Sequence, residues 1–374
     1  MGVALPGQVR SSDVKGGQMI KFCVGTSFKN IDLIEHADRC NQRGKGIIKE
    51  FYGSVENEVF SSINFGTGKE HASYTDLVKF VKKAKRYDID VYLNVNNLRA
   101  TPDFVERHKD KISDFLRRLE DIGVEGVIFS AIPLIEFAAQ NTNLKIAVSA
   151  ILQLDSLQKI KRLKDMGVHR IILSLFKGRD FNFLEKLKMV PDMEWEILCN
   201  EICRFDCPFL PQHYLHRSNP DFAQDKTHNY YYKFCYKELL RDFPINILKT
   251  RFIRPEDVPF YHDRLGIEHF KIVRRESHPE LIKFFMDAYC SLDYDGNLMH
   301  LFPMFMKSPK QLNSKSRLVI MNKELDGFLS YFYENRPDCG NDCFTVGGSC
   351  DYCKRFWEER HLAHREIKIA QVVR

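Results

Sequence analysis

Short apolar runs alternate with amphipathic stretches along the chain from Met19 onward. A parallel strand buried on both faces is apolar throughout, whereas an amphipathic helix repeats its apolar positions every 3.6 residues. Strands separated by helices in this way predict a parallel sheet with right-handed crossovers. The strand-like runs are residues 20–24, 47–52, 91–95, 127–130, 146–151, 170–175, 195–198, 248–253 and 270–273.

Three glycines mark the turns from a helix into the next strand. Gly123, Gly167 and Gly266 each stand a few residues before a strand-like run. Glycine accepts the left-handed conformation that ends a helix and redirects the chain. The pattern therefore predicts an α/β fold, a TIM-type (β/α)8 barrel. Since nine runs exceed the eight strands of such a barrel, either 248–253 or 270–273 lies outside the closed sheet.

The length divides the chain into a barrel and additional segments. A TIM-type barrel takes about 250 residues, and the chain has 374. Residues 1–18 are polar and lack periodicity, so we expect a disordered leader or tag. Residues 19–290 are expected to form the barrel, with a cluster-binding insertion near 199–247. Residues 291–374 are expected to form a cysteine-rich C-terminal appendage.

Composition narrows the class of protein. We find neither an apolar run of about 18 residues nor a signal peptide, so we expect a cytoplasmic protein without a membrane span. The net charge of +6 permits contact with RNA or anionic small molecules without requiring either. Because the cytosol keeps thiols reduced, the eleven cysteines indicate metal binding rather than a disulfide scaffold.

One set of cysteines follows the seventh strand-like run. Cys203, Cys207 and the more distant Cys235 can meet at the carboxyl end of a barrel strand, where active sites are built. Thiolates suit iron–sulfur clusters or zinc. Cys199 is a further candidate ligand, although its position at the edge of an apolar strand is typical of a small buried hydrophobic residue.

A second set of cysteines lies near the C-terminus. Cys339, Cys343, Cys350 and Cys353 fall within fifteen residues, among glycines that let a short loop wrap closely around an ion. This spacing predicts a metal site that stabilises the tail, either a zinc ion with four thiolate ligands or a second iron–sulfur cluster.

Polar residues after the strand-like runs are candidates for contacts with substrate at the barrel mouth. Such residues often only cap the following helix. The candidates are Asn94, Asn96, Asn97, Ser130, Ser149, Lys177 and Arg179.

Three blocks of sequence resemble the U32 peptidase family. Residues 194–203, E-W-E-I-L-C-N-E-I-C, are similar to the family's strand and cysteine E-V-F-V-H-G-A-x-C. Residues 254–258, R-P-E-D-V, resemble its S-P-K-D-L, and residues 271–275, K-I-V-R-R, its K-I-E-G-R. In the last block Val273 and Arg274 replace the family's Glu and Gly. The order of the blocks agrees, so the resemblance covers roughly residues 19–289.

The resemblance implies a 4Fe-4S cluster held by Cys203, Cys207 and Cys235. It leaves the fourth ligand open, and the candidates are Cys199, Cys23, His213, a tail cysteine or an open iron site. Arg275 matches the family's terminal arginine and is expected to grip an anionic substrate or co-substrate through two parallel hydrogen bonds, with Lys271 in the same block.

Characterised relatives of this kind hydroxylate RNA bases or a quinone precursor without molecular oxygen, and some depend on prephenate. The resemblance therefore implies an oxygen-independent oxidation or hydroxylation of a small molecule, a peptide or RNA. Two alternatives stay open, a zinc-stabilised barrel that only binds and a true peptidase, although no G-x-S-x-G or H-E-x-x-H motif is present. The sequence identifies no catalytic residue and no oligomeric state.

Overall fold

A closed barrel of eight parallel strands forms the centre of the protein. The computed structural model describes residues 19–56, 71–218, 230–273, 277–314 and 316–360, apart from the side chain of Tyr232. Each strand pairs with the next in the chain, and the last pairs with the first. The strands are β1 Lys21–Gly25, β2 Ile47–Gly53, β3 Asp90–Val95, β4 Gly126–Phe129, β5 Lys145–Val148, β6 Arg170–Ile172, β7 Glu194–Leu198 and β8 His269–Ile272.

Helices connect successive strands, so the predicted TIM-type barrel is confirmed. None of the described helices is both long and apolar enough to cross a membrane. Their bounds are α1 Leu33–Arg43, α2 Tyr74–Ala84, α3 Pro102–Ile122, α4 Ile132–Asn141, α5 Leu157–Asp165, α6 Phe181–Leu184, α7 Leu210–Arg217, α8 Tyr230–Arg241, α9 Ile245–Leu248, α10 Val258–Leu265, α11 Pro279–Cys290, α12 Phe328–Asn335 and α13 Tyr352–Glu359.

The run at 248–253 is the one that lies outside the closed sheet. Residues 245–248 form α9, and the chain then passes over the end of β7, where the backbone N–H of Ile253 donates to the carbonyl of Cys199 at 2.9 Å. The edge of β7 is already occupied by β8, because the N–H of Cys199 donates to the carbonyl of Lys271 at 2.9 Å. Apolar character alone could not show which of the runs 248–253 and 270–273 is the barrel strand.

The three glycines adopt the conformation that the turns require. Their φ angles are 81° at Gly123, 93° at Gly167 and 68° at Gly266. Gly123 and Gly266 directly follow the last residues of α3 and α10. The predicted helix-to-strand turns are therefore confirmed.

Charged side chains fill part of the barrel interior. Arg170 donates through Nη1 to Glu50 and, at 3.3 Å, to Glu196, and through Nε to Glu194 at 2.7 Å. Lys271 Nζ donates to the other carboxylate oxygen of Glu196 at 2.5 Å. Buried charges persist when they are paired and hydrogen-bonded. Strand positions that point inward are therefore partly polar, while the continuous apolar core lies between the strands and the helices.

The segment after α11 packs against the barrel. Arg254, at the entry to α10, donates Nε and Nη2 to the two carboxylate oxygens of Asp257, both at 2.9 Å. Its Nη1 donates to the carbonyl of Asn322 at 2.8 Å and to Asp326 at 2.9 Å. Apolar residues on both sides of residue 290 belong to one core cluster. The predicted leader, residues 1–18, lies outside the described residues.

Candidate metal centres and barrel mouth

Three cysteine side chains meet beyond the carboxyl end of β7. Cys203 and Cys207 lie in the loop between β7 and α7, and Cys235 lies in α8. The Cys203 thiol hydrogen-bonds to Cys207, and the charge of Cys207 acts on Cys235. Leu198, the last residue of β7, packs against the apolar cluster that contains Cys207 and also against the barrel interior. The structure thus brings the three predicted thiols together at the mouth.

Local hydrogen bonds make one thiol of the three acidic. The hydrogen bond from Cys203 is the main cause that lowers the pKa of Cys207 to about 6, and the backbone N–H groups of Phe209 and Leu210 add to it. The same hydrogen bond raises the pKa of Cys203, and burial raises that of Cys235 to about 11. Cys207 is therefore the most acidic thiol of the three. Metal binding would release the protons of Cys203 and Cys235.

These thiols are unevenly spaced, since Cys203 and Cys207 are within hydrogen-bonding distance of each other and Cys235 lies farther from at least one of them. Among the described residues, the groups that bring three ligand atoms within 4.8 Å of one another do not include Cys203, Cys207 and Cys235. With Zn–S bonds of about 2.3 Å, a zinc ion needs its thiolates within about 4 Å of one another. A four-iron cluster is larger and is held by cysteines farther apart.

The other candidate ligands occupy different surroundings. Cys199 is fully buried in the apolar core outside the barrel, as a small hydrophobic residue would be. Cys23 lies inside the barrel, with its sulfur 3.7 Å from Nδ1 of His269. His213 stacks on the ring of Tyr231 at 5.0 Å between centroids. The fourth ligand of the predicted cluster stays a prediction.

The four tail cysteines form a second group. Charge interactions connect Cys353 with Cys339 and Cys343, and Cys339 with Cys350. Cys343 and Cys350 also face each other as partners in an isolated β-bridge. Within the described chain these thiols, too, are absent from the groups of three within 4.8 Å. Their spacing is wider than that of a closed zinc site.

A tight backbone loop holds this group in place. The N–H of Cys350 donates to the carbonyl of Asp342 at 2.7 Å, and the N–H of Phe344 donates to the carbonyl of Cys350 at 2.9 Å. A Cβ atom at Gly348 would overlap the backbone of Asp342. The glycine that the sequence suggested for close wrapping is therefore required sterically.

Two buried guanidinium groups face the tail cysteines. Arg179 lies 4.8–5.0 Å from three phenylalanine ring centroids and donates Nη1 to the carbonyl of Leu248 at 2.7 Å. Arg251 hydrogen-bonds to Cys339 and lies 3.8 Å over the ring of Phe205. In the part of the chain that the structure describes, neither arginine forms an ion pair with a carboxylate. Burial, and then the neighbouring Arg251, lower the pKa of Arg179 to about 10.

This arrangement leaves two buried positive charges to be compensated. A metal ion or cluster bound by four thiolates carries a net charge of about −2. Such a centre in the tail would therefore match Arg179 and Arg251 in charge and position. No sequence pattern indicated this pair, because Arg251 lies in a run that predicts a strand.

Polar atoms without partners collect on one side of the barrel mouth. Asn96 Oδ1, Ser130 Oγ and Gln153 Nε2 are buried and have no hydrogen-bond partner among the described residues. They follow β3, β4 and β5. Asn94, the other predicted asparagine, is buried at the end of β3. Because buried polar atoms are normally satisfied, the cluster is suited to a polar ligand.

Lys271 and Arg275 are the two cationic residues predicted to contact an anionic substrate. Lys271 is buried, with Nζ paired to Glu196 and 3.6 Å from the ring centroid of Tyr52. Its ammonium group is thus engaged by the barrel interior. Arg275 lies outside the described residues, so the anion anchor stays a prediction.

A profile of peptidase family U32 matches residues 61–199. The chain is also 30% identical over 315 residues to the uncharacterized protease MJ1657 of Methanocaldococcus jannaschii, which corresponds to 81% of this chain and 86% of that protein. The chain belongs to peptidase family U32. The resemblance found in the sequence blocks is therefore confirmed.

Solved structures resemble this U32 protein in outline. The U32 peptidase Mk0906 is 12% identical, with a TM-score of 0.49 over 72% of this chain and 98% of that one. A GH113 β-1,4-mannanase is also 12% identical, with a TM-score of 0.39 over 68% and 88% of the two chains. Similarity at this level does not bear on activity.

Proposed function

We propose that this U32 protein holds a 4Fe-4S cluster on Cys203, Cys207 and Cys235 and carries out an oxygen-independent oxidation or hydroxylation at the barrel mouth. The observation that supports it is the convergence of three thiols, two from the loop after β7 and one from α8, beside the barrel interior at the carboxyl end of the strands. When bound, the cluster supplies one-electron chemistry and a coordination site for oxygen ligands.

The protein's own residues would position the substrate. Asn96, Ser130 and Gln153 present one acceptor, one hydroxyl and one donor to the mouth from adjacent strands. Arg275 would hold an anionic group with two parallel hydrogen bonds. Substrates with both polar and anionic groups fit this set, and a small molecule, a peptide or RNA can supply them.

A second metal centre would lie in the tail on Cys339, Cys343, Cys350 and Cys353. The buried charge of Arg179 favours an anionic centre with four thiolates, which is either a zinc ion or an iron–sulfur cluster. Its role would be structural, because metal binding supplies folding free energy to a segment rich in loops.

Iron and sulfide analysis of protein purified without oxygen tests the barrel cluster. We expect brown protein with broad absorbance near ~400 nm. Replacing Cys203, Cys207 or Cys235 with Ala should remove this centre, while Cys199→Ala, a control in a buried cysteine outside the trio, should retain it. A folded wild type without iron would refute the proposal.

The reaction itself is tested by mass spectrometry of metabolites, peptides and RNA from cells with and without the protein. An oxidised or hydroxylated product that disappears in the Cys203→Ala strain is the expected result. Peptide cleavage without an oxidised product would instead support the peptidase alternative. Arg275→Glu should abolish product formation but keep the visible spectrum, since it reverses the charge at the anion anchor without touching a thiol.

A further inference from the structure

Four potential metal ligands meet where the first and last barrel helices pack together. His36 and Cys40 lie in α1, and Asp287 and Cys290 lie in α11. Ligand atoms of His36, Cys40 and Asp287 all lie within 4.8 Å of one another. The distances are 3.0 Å from His36 Nε2 to Asp287 Oδ1 and 3.3 Å from Cys40 Sγ to the same oxygen. The Cys290 thiol hydrogen-bonds to Cys40 and lies beside this group of three.

Helix geometry explains why these side chains converge. His36 and Cys40 are separated by four residues and Asp287 and Cys290 by three, so each pair projects from one face of its helix. The backbone N–H of Lys45 donates to the carbonyl of Cys290 at 2.8 Å, which fixes the end of α11 beside the end of α1. Two helices thus present two ligands each.

We propose that His36, Cys40, Asp287 and Cys290 bind a zinc ion. Thiolate, imidazole and carboxylate are all zinc ligands, and structural zinc is almost always four-coordinate. The separations among His36, Cys40 and Asp287 suit a single ion, and Cys290 is the fourth candidate ligand through its contact with Cys40. The ion would join α1 to α11 where β8 closes on β1.

One contact must change when the ion binds. Arg39 Nη2 lies 3.3 Å from His36 Nδ1. When His36 binds a metal through Nε2, Nδ1 carries the imidazole proton and cannot accept a hydrogen bond from Arg39. Arg39 is exposed and can turn toward solvent. Asp287 is half exposed, so the ion has a path from the surface.

This site lies apart from the barrel mouth. Cys40 and Cys290 stand next to the turn that enters β2, at the amino-terminal end of the strands. The predicted cluster lies beyond the carboxyl ends. A metal at α1 and α11 would therefore be structural and independent of the proposed reaction.

Metal analysis of the intact protein tests the proposal. Zinc and iron are measured per chain in the wild type, Cys40→Ser, Cys290→Ser and the control Asp38→Asn, whose side chain in α1 bonds Gln42 instead. Both cysteine variants should lose about one equivalent of zinc relative to the wild type, with iron unchanged. The control should lose neither. Because the tail thiols are another candidate zinc site, the difference between variant and wild type is the readout.

If the cysteine variants do not fold, the Asp287→Asn variant tests the proposed zinc site. The side chain is at the surface and keeps its size, so the fold should persist. Competition with a chelator should show zinc affinity lowered by at least about 10-fold, the effect of losing even an outer-shell partner. Equal zinc content or affinity in variant and wild type would overturn the proposal, as would a Cys40–Cys290 disulfide in freshly purified protein.

Discussion

The guanidinium groups of Arg179 and Arg251 are buried side by side, close to the tail cysteines. Both are buried, they repel each other, and the groups that oppose this are thiols rather than carboxylates. An uncompensated buried charge is costly. Thiolates bound to a metal keep their negative charge, whereas free buried thiols are protonated.

If the tail cysteines bind the proposed metal, removing that metal should make Arg251 destabilising. In the Cys343→Ser/Cys350→Ser background we expect a loss of about 3 kcal/mol, typical of a buried charge without its partner. Arg251→Met should recover part of the loss in that background but destabilise the wild type. Urea unfolding of the four proteins measures this coupling. If Arg251→Met has the same effect in both backgrounds, the charge argument is wrong.

The lowered pKa of His269 predicts an effect of acid on the free energy of unfolding. Burial, and then the positive charge of Arg170, lower the pKa of His269 to about 2. At this position the unfolded chain takes up a proton below about pH 6.5 and the folded chain does not, so the contribution of His269 to stability falls as pH drops below about 6.5. His269 should contribute ~1.4 kcal/mol of this loss per pH unit.

Unfolding free energies of wild type and His269→Gln, measured from pH 8 to pH 4, test the linkage. The variant should show a shallower decline below pH 6.5, while the difference between the two proteins should stay constant above pH 7. Parallel curves over the whole range would show that His269 does not control acid sensitivity.

At the scale of elements, the turn from α10 into β8 depends on backbone conformation rather than on contacts. Gly266 ends α10 with φ +68°, and a Cβ atom there would meet nothing within 4 Å. Its requirement for glycine is therefore purely conformational. Gly348 differs, since a side chain there would overlap the backbone of Asp342.

Gly266→Ala should destabilise the protein by about 1 kcal/mol, since alanine is disfavoured at positive φ. Gly266→Asn is the matched control and should cost less, because asparagine tolerates this conformation. Chemical denaturation measures both. An alanine variant as stable as the wild type would mean that the turn adopts another conformation at no cost.

For the whole molecule, the barrel and the tail share one core. Phe302 packs on Phe252 with ring centroids 5.4 Å apart, and Phe328 and Phe332 cover the buried Arg179. Arg254 adds polar contacts across the same boundary. The segment after residue 290 is thus an appendage in sequence but contributes to the core in three dimensions.

A chain that ends at residue 292 should therefore fail to form a stable barrel. We expect aggregation or binding of an apolar dye, because the truncation exposes Phe252 and removes the Phe328 and Phe332 rings from Arg179. A chain that ends at residue 360 is the control and should unfold cooperatively. Calorimetry decides between the outcomes. Cooperative unfolding of the shorter chain near the wild-type midpoint would contradict this picture.

Local patterns in the sequence determined the architecture. Eight of the nine strand-like runs are strands of the barrel, and Gly123, Gly167 and Gly266 turn the chain as expected. These features depend on residues close together in the chain, namely apolar periodicity and backbone preference, so the sequence alone suffices. The order of three short blocks was also enough to indicate family U32.

Tertiary structure decided which groups face each other. The run at 248–253 has strand composition, yet β8 occupies the position beside β7. The sequence favoured Cys203 over Cys199 as a ligand from its position after the strand, but only the packing shows that Cys199 lies in the apolar core and Cys203 at the mouth. His36 and Asp287 are distant in the chain and meet only because the barrel closes. Contacts of this kind depend on how distant elements pack, which no local pattern records.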